Sequence, residues 1–126
     1  MLEAIHTEKA PKAVGPYSQA IRAGNFVYTS GQLPTDAETG SFVSDVPAEQ
    51  ARQCLKNVEY ILKEAGLTLN DVVKCLVFLQ DMNDFKAVNE VYAEVFGEHK
   101  PARSAFQVAK LPMDAKVEIE AIAYKE

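Results

Sequence analysis

The chain has 126 residues, 48% hydrophobic and 25% charged, a composition that excludes a disordered or fibrous segment and fits one globular domain over residues 1–126. Lys plus Arg is 13 against 18 Asp plus Glu, a net charge of -5, the wrong sign for tracking a phosphate backbone, so no nucleic-acid partner is expected. Met1 to Ala13 holds no apolar run of signal-peptide or membrane-spanning length, which implies a cytoplasmic protein with no membrane partner.

Two strand-like runs open the periodic part of the chain, Tyr17 to Ala23 and Phe26 to Gly31, joined at Gly24-Asn25, a pair suited to a tight hairpin turn. Gly31 to Val46 reads as a long loop with Pro34, Asp36 and Gly40 as its turn residues. Asp45 is placed to cap a helix with Pro47 in its first turn, and Ala48, Ala51, Leu55, Val58, Leu62 and Ala65 recur at steps of three and four. Gly66 followed by Leu67 predicts a left-handed C-terminal cap. Val72 to Leu79 is almost continuously apolar, as in a strand buried on both faces.

Asn83 is the expected cap of a second helix, whose stripe is Phe85, Val88, Val91, Tyr92, Val95 and Phe96. Ala102 to Val108 and Lys116 to Tyr124 predict two more strands around a Leu111-Pro112-Met113-Asp114 turn. The order is that of an α+β two-layer sandwich, a mixed sheet with two helices on one face. In the last strand Val117, Ile119, Ala121 and Ala123 alternate with Glu118, Glu120, Ile122 and Tyr124. Two helices cannot cover both faces, so subunit association is expected.

Arg103 sits among small and apolar residues, Ala102, Ser104, Ala105 and Phe106. Its fork matches a carboxylate or phosphate, and it reads either as a ligand clamp or as a strand-edge Arg paired to Glu118 or Glu120. Those two carboxylates share a strand face, and a hairpin through Pro112 would bring them beside Arg103 as an acid-base pair; acidic residues on a solvated face are the plainer reading. Tyr17 offers a ring and a hydroxyl, or simply packs. Ser30-Gly31-Gln32 ends a strand where glycine permits close approach. Cys54 and Cys75 fall on apolar faces and read as packing thiols, His6 and His99 fit no motif, and no spacing suggests a metal site.

Taken together, Gly15-Pro16-Tyr17-Ser18-Gln19-Ala20, Thr29-Ser30-Gly31-Gln32, and Pro101-Ala102-Arg103-Ser104 through Val117-Glu118-Ile119-Glu120 closely resemble the RidA/YjgF family of reactive-intermediate deaminases. The resemblance spans nearly the whole chain. It implies a chorismate-mutase-like fold, a homotrimer with ligand sites between subunits, and cofactor-free hydrolysis of 2-imino acids such as 2-iminopropanoate and 2-iminobutanoate to 2-oxo acids and ammonia. It further implies that Arg103 binds the substrate carboxylate and Glu118 helps to position water, with Tyr17, Ser30, Gly31 and Asn89 lining or flanking the cleft. Ala105 stands where many members carry Cys, which puts a thiol contribution there in doubt. A non-catalytic binder of small 2-oxo acids would need only Arg103, and an endoribonuclease would fit an acidic chain poorly.

Overall fold

The computed structural model describes residues 1–126. Its elements are β1 (Leu2–Ile5), β2 (Ala20–Ala23), β3 (Phe26–Thr29), α1 (Pro47–Glu64), β4 (Val72–Leu79), α2 (Phe85–Phe96), β5 (Ala102–Gln107) and β6 (Val117–Tyr124). One mixed sheet runs β1-β2-β3-β6-β4-β5, antiparallel except where β4 and β5 run parallel. This is the expected small α+β fold with two helices.

The helices cover one sheet face. Ala51, Cys54, Leu55, Val58, Ile61 and Leu62 of α1 meet Val117, Ile119, Ala121 and Ala123 of β6, with Cys75, Val77 and Leu79 of β4 in the same core. Burial of that many branched side chains, at about 1.5–3 kcal/mol each, is the main attraction holding the layers together. Gly66 (φ 84°) ends α1 as expected: Leu67 N–H donates to the Leu62 carbonyl at 2.8 Å and Gly66 N–H to that of Lys63 at 3.0 Å, a double-bonded C-terminal cap.

Several expectations change. The N-terminal Leu2–Ile5 segment forms β1, paired with β2, and is too short to show a clear strand alternation in sequence. The first hairpin is shorter than expected because Tyr17 to Gln19 lie before β2; only Gly24 of the turn pair takes positive φ (62°). Asp45 does not cap α1, whose N-cap position is Val46 with no side-chain bond. Nor does Asn83 cap α2; Asp81 caps the 310 turn before it, accepting from Asn83 N–H at 2.8 Å. β4 is not buried on both faces: Cys75, Val77 and Leu79 are covered while Lys74, Leu76 and Phe78 stay half-exposed. An extra residue, Val73, bulges between Val72 and Lys74 and resets the alternation.

The largest correction concerns β5 and β6. The Pro112 turn does not make them a hairpin, since β4 lies between them. Sequence proximity favoured the hairpin, but the apolar β4 gains more by taking a neighbour on each side, leaving β5 as an exposed edge.

Buried amides fasten the irregular segments. Asn57, fully buried on α1, donates to the Leu33 and Thr35 carbonyls at 3.0 Å each and accepts from Gln53 at 2.9 Å. Gln50 accepts from Lys116 N–H at 2.8 Å and donates to the Ser44 carbonyl at 2.9 Å. Gln19 accepts from Thr7 N–H at 2.7 Å and donates to the Pro11 carbonyl at 2.8 Å. Asn57→Leu, which strands two loop carbonyls, is expected to lower unfolding free energy by about 2–4 kcal/mol in a urea titration. A loss within about 0.5 kcal/mol would show that the loop does not depend on this amide.

Candidate functional site

Paired residues on neighbouring strands share a sheet face, so the register decides which candidate side chains can meet. Arg103 lies opposite Cys75, and Cys75 lies opposite Ala121, both buried on the helix side. Glu118 lies opposite Phe78, and Glu120 opposite Leu76, on the side the helices leave open. Arg103 and Glu118 of one chain therefore project from opposite faces. Neither carboxylate pairs with Arg103, so the strand-edge ion pair considered from sequence is absent along with the hairpin that would have made it.

Arg103 is exposed at the sheet edge, against α2. Its Nη1 donates to Asn89 Oδ1 at 2.7 Å. Its Cζ lies 4.8 Å from the centroid of the Tyr92 ring and 5.3 Å from that of Phe85. The chain's ion pairs are His6–Glu8, Arg22–Glu3, Arg52–Glu94 and Lys110–Asp114, leaving Arg103 without a carboxylate partner. A cavity of about 310 Å³ opens beside it, with Asn89, Tyr92, His99 and Lys100 in its wall. Ala105, two residues on and on the same face, is half-buried opposite Val77.

The second cluster forms where the loop after β3 crosses β6. Gln32 N–H donates to the Ile119 carbonyl at 2.8 Å and Ile119 N–H to that of Gln32 at 3.1 Å. This bridge sets Gly31 directly on Glu118: a Cβ at Gly31 would lie 2.5 Å from Glu118 Oε2 and 2.8 Å from its carboxyl carbon. Here close approach to the Glu118 carboxyl, and not φ, is what a side chain would disturb. Ser30 Oγ donates to the Ser18 carbonyl at 2.6 Å, so its hydroxyl serves to hold the 17–19 segment beside the strand end. Tyr17, half-exposed, borders a cavity of about 350 Å³ with Gly31, Gln32 and Met113. Met113 and Asp114 adopt left-handed φ of 56° and 59°, a strained turn at that rim.

Burial, and then the neighbouring Glu120, push the Glu118 carboxyl above the usual carboxylate range; burial alone raises Glu120. Burial also lifts the Cys75 thiol to about 11 and holds Cys54 well above its ordinary value, so neither is a thiolate near neutrality. No cluster of three or more His, Cys, Asp or Glu is placed to hold a metal, and no helix is long and apolar enough to cross a membrane.

The structure thus gathers Arg103, Asn89 and Ala105 at one edge, and Tyr17, Ser30, Gly31 and Glu118 at the loop crossing. Phe85 and Tyr92 belong to the first group too; the sequence shows them only as part of the α2 stripe. Their spacing with Asn89, at i, i+4 and i+7, was the available signal, because it puts ring, amide and ring on one helix face.

The family described as Endoribonuclease L-PSP matches residues 7–125. A 2-iminobutanoate/2-iminopropanoate deaminase of Salmonella typhimurium is 52% identical over 128 residues, covering 99% of both chains. The chain belongs to the RidA/YjgF family. A RutC family protein of Pyrococcus horikoshii is 59% identical over 126 residues, all of both chains. Among solved structures, Escherichia coli TdcF with bound serine superposes with a TM-score of 0.94 at 48% identity, covering 98% of this chain and 99% of that one. RidA/YjgF membership and relatives named as imine deaminases support imine deamination as the broad activity.

The contact between Gly31 and Glu118 yields a direct test. In Gly31→Ala the flexible carboxylate must swing outward, so the fold should survive while the Glu118 pKa falls back toward its ordinary value, read by carboxyl 13C NMR titration. An unchanged titration would show that the two groups are not in contact.

Proposed function

We propose that this chain hydrolyses small 2-imino acids, such as 2-iminopropanoate and 2-iminobutanoate, to 2-oxo acids and ammonia, at sites completed between copies of the chain in a homotrimer. The observation that carries the reading is the sheet parity. An unneutralised Arg103 and a Glu118 whose carboxyl is raised above the usual range by burial and by Glu120 are both built, on opposite faces. A second copy laid against the open face can bring its Glu118 toward the Arg103 edge of the first. That face offers Phe26, Tyr28, Phe106 and half-exposed Phe78 and Tyr124, an apolar area suited to burial by association.

In the reaction the Arg103 fork holds the substrate carboxylate through two parallel charge-assisted bonds. Water adds across the C=N bond, its oxygen to the carbon and its proton by way of Glu118 to nitrogen. The carbinolamine then loses ammonia as the C=O bond forms. An iminium carbon is already electrophilic, so positioning water and moving one proton are the tasks left to the protein, and no cofactor enters the scheme. A carboxyl held above its usual range is a stronger proton acceptor than a free glutamate and can return the proton to nitrogen. The same Arg103 would serve a non-catalytic 2-oxo acid binder; a half-buried Glu118 carboxyl set against Gly31 favours the enzyme. The endoribonuclease reading, present in the family description, is not favoured by a net charge of -5.

Mixing distinguishes these. Arg103→Ala should lose turnover and 2-oxo acid binding, and Arg103→Lys should restore neither fully, because an ammonium lacks the fork. Glu118→Gln should keep binding and lose about 10²-fold or more in imine hydrolysis, measured with imine generated in situ by an amino-acid oxidase. Unfolded together and refolded one to one, the Arg103→Ala and Glu118→Gln chains should regain activity at about a quarter of the sites, the fraction in which random pairing restores both groups. No recovery would overturn the inter-subunit site. Wild-type protein that binds 2-oxo acids but never speeds imine loss would replace the enzyme with the binder.

The pH profile follows from the direction of the Glu118 shift. The carboxylate is the water-directing form, so the rate should fall as pH drops through the raised Glu118 pKa, above where a free glutamate titrates. Glu120→Gln removes a neighbouring negative charge and should move that acid limb to lower pH. A limb that stays in place would take Glu118 out of the proton transfer.

A further inference from the structure

Arg103 is held by groups that leave its charge available. A guanidinium on a protein surface is commonly oriented by a carboxylate, which neutralises it and competes for its hydrogen-bond donors. Here a single donor, Nη1, is used, by the neutral Asn89 amide, and the rest of the contact is with two aromatic rings. Both ring centroids lie within the roughly 6 Å over which a ring face attracts a cation. Rings take no donor, so four of the five N–H groups remain for a ligand.

We infer that Phe85 and Tyr92 are positioning residues for Arg103, an aromatic cradle that fixes the guanidinium for carboxylate capture without neutralising it. The inference deepens the deaminase reading and rests on it for the identity of the ligand. Phe85, Asn89 and Tyr92 fall at i, i+4 and i+7 on α2, so one helix face presents all three to β5. The Tyr92 ring is itself fixed: it is 7% exposed and packs against Phe96 with centroids 4.7 Å apart. Phe85 is half-buried nearer the start of the helix.

The ring of Tyr92, and not its hydroxyl, does this. The hydroxyl is buried and has no partner of hydrogen-bond geometry, although the Cys75 thiol lies close enough to raise its pKa further, after burial itself. It is shut off from solvent, whereas the ring lies against the guanidinium. The cradle also accounts for the expected failure of Arg103→Lys in a second way: a flat guanidinium stacks on a ring as an ammonium does not.

The test separates ring from hydroxyl and cradle from function. Tyr92→Leu should weaken pyruvate or 2-oxobutanoate binding about five-fold, the equivalent of about 1 kcal/mol of cation–π attraction. In turnover the loss should fall mainly on KM, because the carboxylate is held in ground and transition states alike. Tyr92→Phe should restore what Tyr92→Leu loses. Phe85→Leu, at a less buried position, gives an independent variant should Tyr92→Leu not fold. The Arg103 Nε–Hε NMR signal, assigned by its disappearance in Arg103→Lys, should sit upfield from ring currents and move back in Tyr92→Leu and Phe85→Leu. Folded leucine variants with wild-type affinity, or an Arg103 signal that neither moves, would overturn the cradle. Tyr92→Phe as weak as Tyr92→Leu would overturn the ring assignment in favour of the hydroxyl. Wild-type protein with the upfield signal but no affinity for any 2-oxo acid would keep the cradle and overturn the deaminase reading.

Discussion

The register of β4 against its two neighbours governs what this chain can do. Cys75 opposite Arg103, and Phe78 opposite Glu118, are separated by three residues, an odd number, and so lie on opposite sides of the pleat. A slip of one residue in the β4–β5 pairing would move Arg103 to the open face, and one in the β4–β6 pairing would turn Glu118 under the helices. The apolar alternation of β6 and the covered residues of β4 prevent that slip, since exposing Ile119 and Leu79 together would cost several kcal/mol. The bulge at Val73 keeps the pattern intact where an uninterrupted strand would have turned Val72 outward. Core packing and site geometry are therefore the same constraint seen from two sides of one sheet.

The irregular segments need other means, because a loop has no ladder to fix it. Asn57, Gln50 and Gln19 provide those bonds from side chains that are almost wholly buried. The Gln32–Ile119 bridge then carries the loop onto β6 and delivers Gly31 to the Glu118 carboxyl. The shape of the loop crossing rests on neutral amides, while the chain's ion pairs lie at exposed or half-exposed positions where each contributes little.

Much of the architecture was legible in the sequence. The α1 stripe, the Gly66-Leu67 cap and the alternation of Val117 to Tyr124 are local patterns, and each appears where its periodicity put it. What failed was non-local or too short to signal. β1 is four residues of an edge strand, with Glu3 among them. The parallel pairing of β4 with β5 depends on which neighbour the whole sheet can offer, and nothing in the Pro112 turn reports that. At the site, Arg103, Glu118 and Gly31 stood out by residue type, yet their separation across the sheet could not be read without the strand order. Phe85 and Tyr92 were hidden by their own apolarity, which a core stripe explains just as well.

The sulfur atoms are distributed unevenly. Cys54 and Cys75 lie fully buried, with burial raising the pKa of both thiols, and Ala105 adds no thiol at the Arg103 edge. A protonated thiol shielded from water is a poor target for peroxide, since oxidation proceeds through the thiolate. The sulfur that solvent reaches belongs to methionine: Met1, Met82 and, 71% exposed on the strained turn beside Tyr17, Met113. Oxidative damage to the folded chain would accordingly fall on thioethers, adding a polar oxygen at the rim of the Tyr17 cavity and leaving no disulfide or sulfenic acid behind. Such a lesion is repaired by sulfoxide reductases and not by thiol exchange, so glutathione or thioredoxin alone would not reverse it.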